Sequence, residues 1–225
     1  MSEPHHAPIH VVIIDDEALV RQGLTLILEA ADDIRVLGVG DSAAAAALVA
    51  THQPAVVLLD IRMPEPDGLT LLRQFRGLPD PPQVIMLTTF DMDDAVRTAL
   101  ELGAAGYLLK DTDPEHLPQF VRTAAAGGVV LAGSPAQRMR AAVRAGGTDH
   151  AAAELVSALT DRERSVLRHL AQGDSNAQIA RALHLSQGTV KDHVSAILAK
   201  LGVAGRVPAA LIAARADLLG MEPPR

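Results

Sequence analysis

Cysteine is missing altogether from the 225 residues, so neither a disulfide framework nor a thiolate metal site is available. Long apolar runs are missing too: no uninterrupted stretch approaches the roughly 20 residues needed to cross a bilayer. Met1 to Pro8 lacks the basic-then-apolar pattern of a signal peptide. A cytoplasmic protein is the expectation. His5, His6 and His10 lie near the start. A loose histidine tail without organised partners reads as incidental, since metal-binding histidines are oriented by further hydrogen bonds.

The length suits two domains, and the charge divides the chain in the same way. Net charge is -7, yet residues 9–130 carry 8 basic against 18 acidic side chains, and residues 155–225 carry 9 basic against 6 acidic. An acidic first part and a mildly basic second part point to a cation or phosphate site in the first and a polyanion partner for the second.

The first part alternates short apolar runs with amphipathic stretches. Strands are predicted at Ile9–Ile14, Ile34–Val39, Ala55–Asp60, Val84–Leu87 and Gly106–Leu109. The third is an unbroken apolar run that ends on Asp60 and is followed by turn residues, which reads as a strand buried on both faces. Helices are predicted over 18–30, from the Asp41-Ser42 cap to His52, and over 68–76, 92–102 and 114–126. Five strands alternating with five helices imply a doubly wound parallel α/β sheet with right-handed crossovers. Gly38-Val39-Gly40 follows the second strand and lacks the rest of a dinucleotide fingerprint, so it carries no weight.

Chemistry collects at the strand ends. Asp15 and Asp16 close the first strand, Asp60 the third, Thr88 the fourth and Lys110 the fifth. In a flavodoxin-like order 2-1-3-4-5 these ends are neighbours, on the rim where such sheets bind ligands. Asp60 alone would pass for a helix cap, and Lys110 alone for a surface partner of Asp111. Together, three crowded carboxylates require a compensating cation, and oxygen ligands with open positions suit Mg2+.

Residues 9–127 resemble the receiver domain of a two-component response regulator. The resemblance rests on the acidic pair, on Asp60-Ile61-Arg62-Met63-Pro64-Glu65-Pro66-Asp67-Gly68, on Thr88 and on Lys110. Leu87-Thr88-Thr89-Phe90 and Gly103-Ala104-Ala105-Gly106-Tyr107-Leu108-Leu109-Lys110-Asp111 resemble the NarL/FixJ branch in particular. It implies that Asp60 accepts a phosphoryl group from a sensor kinase histidine. Asp15, Asp16, Asp60 and the backbone carbonyl of Arg62 would hold Mg2+, with Asp15 acting largely through water. Lys110 and Thr88 would stabilise the phosphoryl oxygens, and Thr88 with Tyr107 would form a switch pair. The alternative reading of Tyr107, the only tyrosine, is a half-buried ring with its hydroxyl in water. Arg62 and Phe90 would border the path of an attacking water, and a bulky Phe90 is expected to slow acyl-phosphate hydrolysis.

Residues 128–155, rich in Gly and Ala, read as a linker with one short helix capped by Ser134. From residue 156 to 220 the pattern is helical only. Thr160-Asp161-Arg162-Glu163 is a capping box, Ser175 or Asn176 caps a second helix, and Ser186 caps a third running to Leu201. Two helices joined by a short turn in a basic segment form the arrangement of a DNA-reading helix-turn-helix. Residues 157–220 resemble the LuxR/NarL-type four-helix DNA-binding domain, through Asn176-Ala177-Gln178-Ile179-Ala180 and through Ser186, Thr189, Val190, Lys191, His193 and Val194. Lys191 would meet bases or phosphates, and Ser186 and Thr189 would meet phosphates at the helix N-terminus. His193 would read bases or pack. Asp192 and Ser195 stand where this family often carries an apolar residue and Lys, so DNA binding is expected to need two copies. The helix from Arg206 would supply a dimer contact.

The expected function is a phosphorylation-controlled transcription factor that acts as a homodimer on promoter DNA, not an enzyme. Two alternatives differ in class. One is a constitutive DNA binder with a vestigial acidic pocket. The other is a phosphatase with an aspartyl nucleophile, which would need a second Asp where Arg62 stands.

Overall fold

The computed structural model describes residues 7–89, 93–131, 150–216 and 218. Six strands form one parallel sheet in the order β2-β1-β3-β4-β5-β6: β1 (Ile9–Ile14), β2 (Ile34–Gly40), β3 (Val56–Asp60), β4 (Gln83–Thr88), β5 (Gly106–Leu109) and β6 (Val130–Leu131). The apolar run leading to Asp60 is β3, at the centre of the sheet and buried at every residue. Period-two alternation divides its side chains between two cores. Val12, Ile14, Val57, Leu59, Met86 and Tyr107 share a core with residues of α2 (Ala45–His52), α3 (Gly68–Arg76) and α4 (Asp93–Glu101). Val11, Ile13, Val56, Leu58, Ile85 and Leu108 share the other with α1 (Ala18–Glu29) and α5 (Leu117–Ala125).

The sixth strand departs from the five expected. Val130 and Leu131, in the stretch read as linker, pair with Gly106 and Tyr107 and extend the sheet beyond β5. Gly106 permits the approach, because a Cβ there would lie 2.4 Å from the Val130 carbonyl oxygen. The predicted fifth helix also starts differently. Pro114–His116 is a 3-10 turn capped by Asp113, and α5 follows it.

The C-terminal part is helical: α6 (His150–Ser157), α7 (Asp161–Ala171), α8 (Asn176–Leu183), α9 (Gln187–Leu201) and α10 (Arg206–Arg215). Thr160–Glu163 and Ser175–Gln178 each form a capping box. Glu163 is buried and pairs with Lys200 of α9 at 2.7 Å. The last four helices match the four expected, and α6 is a fifth. Alanines favour helix here; Ala152 is buried, and Val156 carries α6 into the shared core with Val166, Ile179, Val190 and Ile197. The short helix expected at Ser134 lies outside the described residues.

The two parts meet along one seam. Val207 and Leu211 of α10 join the core on the α2–α4 side of the sheet. Arg76 donates through Nη2 to the Ala204 carbonyl at 2.9 Å, and the Asn176 amide donates to the Ala126 carbonyl at 3.1 Å. At its tightest the seam is backbone against backbone. A Cβ on Gly205 would lie 2.6 Å from Gly103 Cα, and one on Gly103 would lie 2.4 Å from the Ala204 oxygen.

Candidate phosphoacceptor pocket and DNA-reading helix

The pocket is assembled by the register of the sheet. Asp60 ends β3 opposite Leu87, so Thr88 stands one residue beyond it on the neighbouring strand. The Lys110 amide donates to the Thr88 carbonyl at 2.7 Å, which brings the end of β5 alongside. Asp15 follows β1, the neighbour of β3 on its other side. Gly68 explains the turn after Asp60: a Cβ there would lie 2.1 Å from the Asp60 carbonyl oxygen, so only glycine lets α3 begin so close. Asp67 caps α3 by accepting from the Thr70 amide at 2.8 Å.

The side chains converge. Lys110 Nζ lies 2.9 Å from Asp15 Oδ2, 3.0 Å from Asp60 Oδ2 and 2.9 Å from Glu17 Oε1. Asp15, Asp60 and Thr88 are buried, whereas Asp16 and Arg62 are exposed. Asp60 Oδ1 accepts from the Arg62 amide at 3.2 Å. Burial pushes the Asp60 carboxyl above its ordinary value, and the Lys110 ammonium only partly offsets this. For Lys110 burial acts downward, but the surrounding carboxylates outweigh it and hold the ammonium well above the usual lysine range.

One acceptor is left over. The approach of Lys110 to Asp15 Oδ2 is an ion pair without hydrogen-bond alignment, and that buried oxygen has no hydrogen-bond donor among the described residues. One oxygen each from Asp15, Asp16 and Asp60 lies within 4.8 Å of the others. Hard oxygens in excess of positive charge fit a divalent cation such as Mg2+.

Tyr107 is wholly buried, not half-exposed. Phe90 lies outside the described residues. Two partners were not legible in the sequence: Glu17, on Lys110, and Arg21, whose Nη1 donates to the carbonyls of Asp15 at 2.6 Å and Asp16 at 3.1 Å. The acidic triplet Asp15-Asp16-Glu17 was the available signal for the first. For Arg21 there was none.

In the helical part, α9 is the second helix of the helix-turn-helix. Ser186 caps it, accepting from the Thr189 amide at 3.0 Å, with its hydroxyl 2.8 Å from that of Thr189. Val190, Val194 and Ile197 face the core, while Lys191, Asp192 and Ser195 are exposed and His193 is half-buried. The Ser195 hydroxyl donates to the Lys191 carbonyl at 3.0 Å, within its own helix. Lys191 Nζ lies 3.3 Å from Asp80 of the α3–β4 loop.

Comparison with known proteins agrees with both halves. Residues 11–122 match the family described as response regulator receiver domain, and residues 157–213 match the bacterial regulatory proteins of the luxR family. The nitrate/nitrite response regulator protein NarP of Escherichia coli is 39% identical over 210 residues, covering 93% of this chain and 96% of that one. The chain is a response regulator of the NarL/NarP type. Among solved structures, the response regulator ChrA of a heme-sensing two-component system is 36% identical to this regulator. It covers 95% of this chain and 100% of its own, with a TM-score of 0.51. A structure of two RcsB dimers bound to two parallel DNAs is 26% identical, covers 87% of this chain and 93% of its own, and has a TM-score of 0.54. Members of this family are transcription regulators and not enzymes. A receiver domain implies a histidine kinase partner, and a LuxR-type domain implies DNA.

Proposed function

We propose that Asp60 is the phosphoacceptor of this regulator and that its phosphorylation frees the helix-turn-helix domain for a DNA-binding dimer. The reading rests on one observation: a single lysine ammonium lies within hydrogen-bond distance of Asp60 and of Asp15, where oxygens exceed cations. Asp15, Asp16 and Asp60, with the Arg62 carbonyl, would hold Mg2+, which when bound neutralises charge on the transferred group. Phosphoryl transfer is mostly positioning and charge neutralisation. Asp60 presents its carboxylate from the end of β3. Lys110, already beside it, binds a phosphoryl oxygen, and the Thr88 hydroxyl donates to another. Because Tyr107 is fully enclosed, its response to Thr88 is a repacking inside the α4-side core, not a swing in from solvent.

That core is also where Val207 and Leu211 of α10 sit. A change there alters the seam, and α10 cannot serve a second copy while it covers the receiver domain. Lys191 beside Asp80 likewise points a DNA-reading cation at the receiver domain. Residues 9–127 form the receiver domain and 156–220 the DNA-binding domain, with Ser186, Thr189, Lys191, Asp192, His193 and Ser195 as the DNA-facing set. The RcsB dimers on DNA support a dimer as the binding form.

Incubation with Mg2+ and acetyl phosphate should add one phosphoryl group, as read by intact mass, and Asp60→Ala should remove it. Phosphorylation that persists in Asp60→Ala, or its absence in the wild type, would overturn the assignment.

A further inference from the structure

Glu17 is not among the residues that the pocket needs on grounds of charge, since Asp15 and Asp60 already face one ammonium. It is also an odd choice for its place. Glu17 is the N-cap of α1, a position that favours Ser, Thr, Asp or Asn, and its side chain makes no cap hydrogen bond. Instead it reaches to Lys110 Nζ at 2.9 Å, across 93 positions of the chain. An ammonium has three hydrogens, and three carboxylates surround this one. Asp15 and Asp60 are buried and fixed at strand ends, whereas 57% of the Glu17 side chain is exposed.

We propose that Glu17 is a positioning residue for the phosphorylation reaction: it holds one of the two hydrogens that Lys110 donates at rest, the other going to Asp60, and withdraws into water when a phosphoryl oxygen takes its place. This rests on the reading of Asp60 as phosphoacceptor. In the step itself, the bond from phosphorus to the donor oxygen breaks and a bond to an Asp60 carboxylate oxygen forms. The donor leaves as acetate with the electron pair. Lys110 must turn a donated hydrogen to the incoming phosphoryl group, and of its two acceptors Glu17, the exposed one, can release it without opening the buried core. In its absence Lys110 is available sooner.

The test is the initial rate of phosphorylation of the full chain by acetyl phosphate at saturating Mg2+, for wild type and for Glu17→Ala, Glu17→Gln and Glu17→Asp. Direct contact predicts that Ala and Asp both speed the reaction, by about two- to five-fold, the worth of one partly exposed ion pair. Asp is one methylene too short to reach Lys110, and Gln, which still accepts a hydrogen bond, falls between them and wild type. The gain should persist at 0.5 M salt, where the screening length of about 4 Å still exceeds the 2.9 Å contact. Asp favours the N-cap position, so thermal stability should hold or rise in that variant, which separates the effect from damage to α1. Rates that follow charge alone, with Asp like wild type and the gain abolished by salt, would overturn the proposal, as would four equal rates. Failure of the wild type to take a phosphoryl group would instead sink the Asp60 assignment beneath it.

Discussion

The pocket and the seam both join residues far apart in the chain, but they treat positive charge in opposite ways. In the pocket one lysine meets three carboxylates, all within 3.0 Å. At the seam two half-buried arginines have no carboxylate partner among the described residues. Arg76 has the Ala204 carbonyl on Nη2 and, among the described residues, no partner on Nε, and Arg206 donates to the Asn176 side-chain oxygen. Burial pulls both guanidinium groups below their ordinary value, Arg206 to about 10, which still leaves it cationic at neutral pH. Partly desolvated charge with only neutral partners weakens a contact, whereas matched charge holds one. The pocket is therefore built to keep its parts in place, and the seam to part.

The contrast can be broken at the pocket first. Lys110→Met removes the ammonium that touches Asp15, Asp60 and Glu17, and phosphoryl transfer should slow about a hundredfold, the usual consequence of losing one preorganised charge at a reacting group. Radioactive or mass-based phosphorylation assays read this directly. A smaller but comparable effect is expected at a matched pair inside the DNA-binding domain. The Lys200 ammonium beside Glu163, together with the Thr160 amide, holds its carboxyl down to about 2. A carboxyl depressed in the folded state stabilises above its unfolded value of 4.5, and that contribution fades as pH falls toward 2. Glu163→Gln should cost about 1–3 kcal/mol at pH 7 and much less at pH 3, as followed by thermal melting of the C-terminal helices.

Breaking the seam should raise a signal, not lower one. Gly205 has φ -160, an extended conformation open to any residue, so glycine is needed there only for the approach to Gly103. Gly205→Ser adds a favourable N-cap to α10 while it forces the two backbones apart. DNA affinity without phosphodonor should rise about tenfold if the closed form is favoured by about 10:1, and small-angle scattering should show a larger particle. At the small end, Asp80→Ala removes an exposed partner of Lys191 and should change the same affinity by less than about 1 kcal/mol.

The pocket was legible in the sequence because a doubly wound sheet places strand ends on a common rim, so Asp15, Asp60, Thr88 and Lys110 are brought together by topology alone. Glu17 and Arg21 were not legible, since their partners depend on which way flexible side chains turn at the start of α1. The sixth strand escaped notice because two residues in a glycine-rich stretch carry no periodicity, and α6 because its alanines look the same in a linker and in a helix. The seam depends on which face of α10 turns to the receiver domain. Val207 and Leu211 read equally well as core of the helical domain or as dimer contact, so no pattern within either half announces it.

The most direct measurement is footprinting of a bound promoter fragment by the full chain, with and without acetyl phosphate and Mg2+, for wild type and Asp60→Asn. Protection that strengthens with the donor in wild type and stays at its unstimulated level in Asp60→Asn is the expected result. Equal protection under all four conditions would contradict the coupling of pocket to DNA-reading helix.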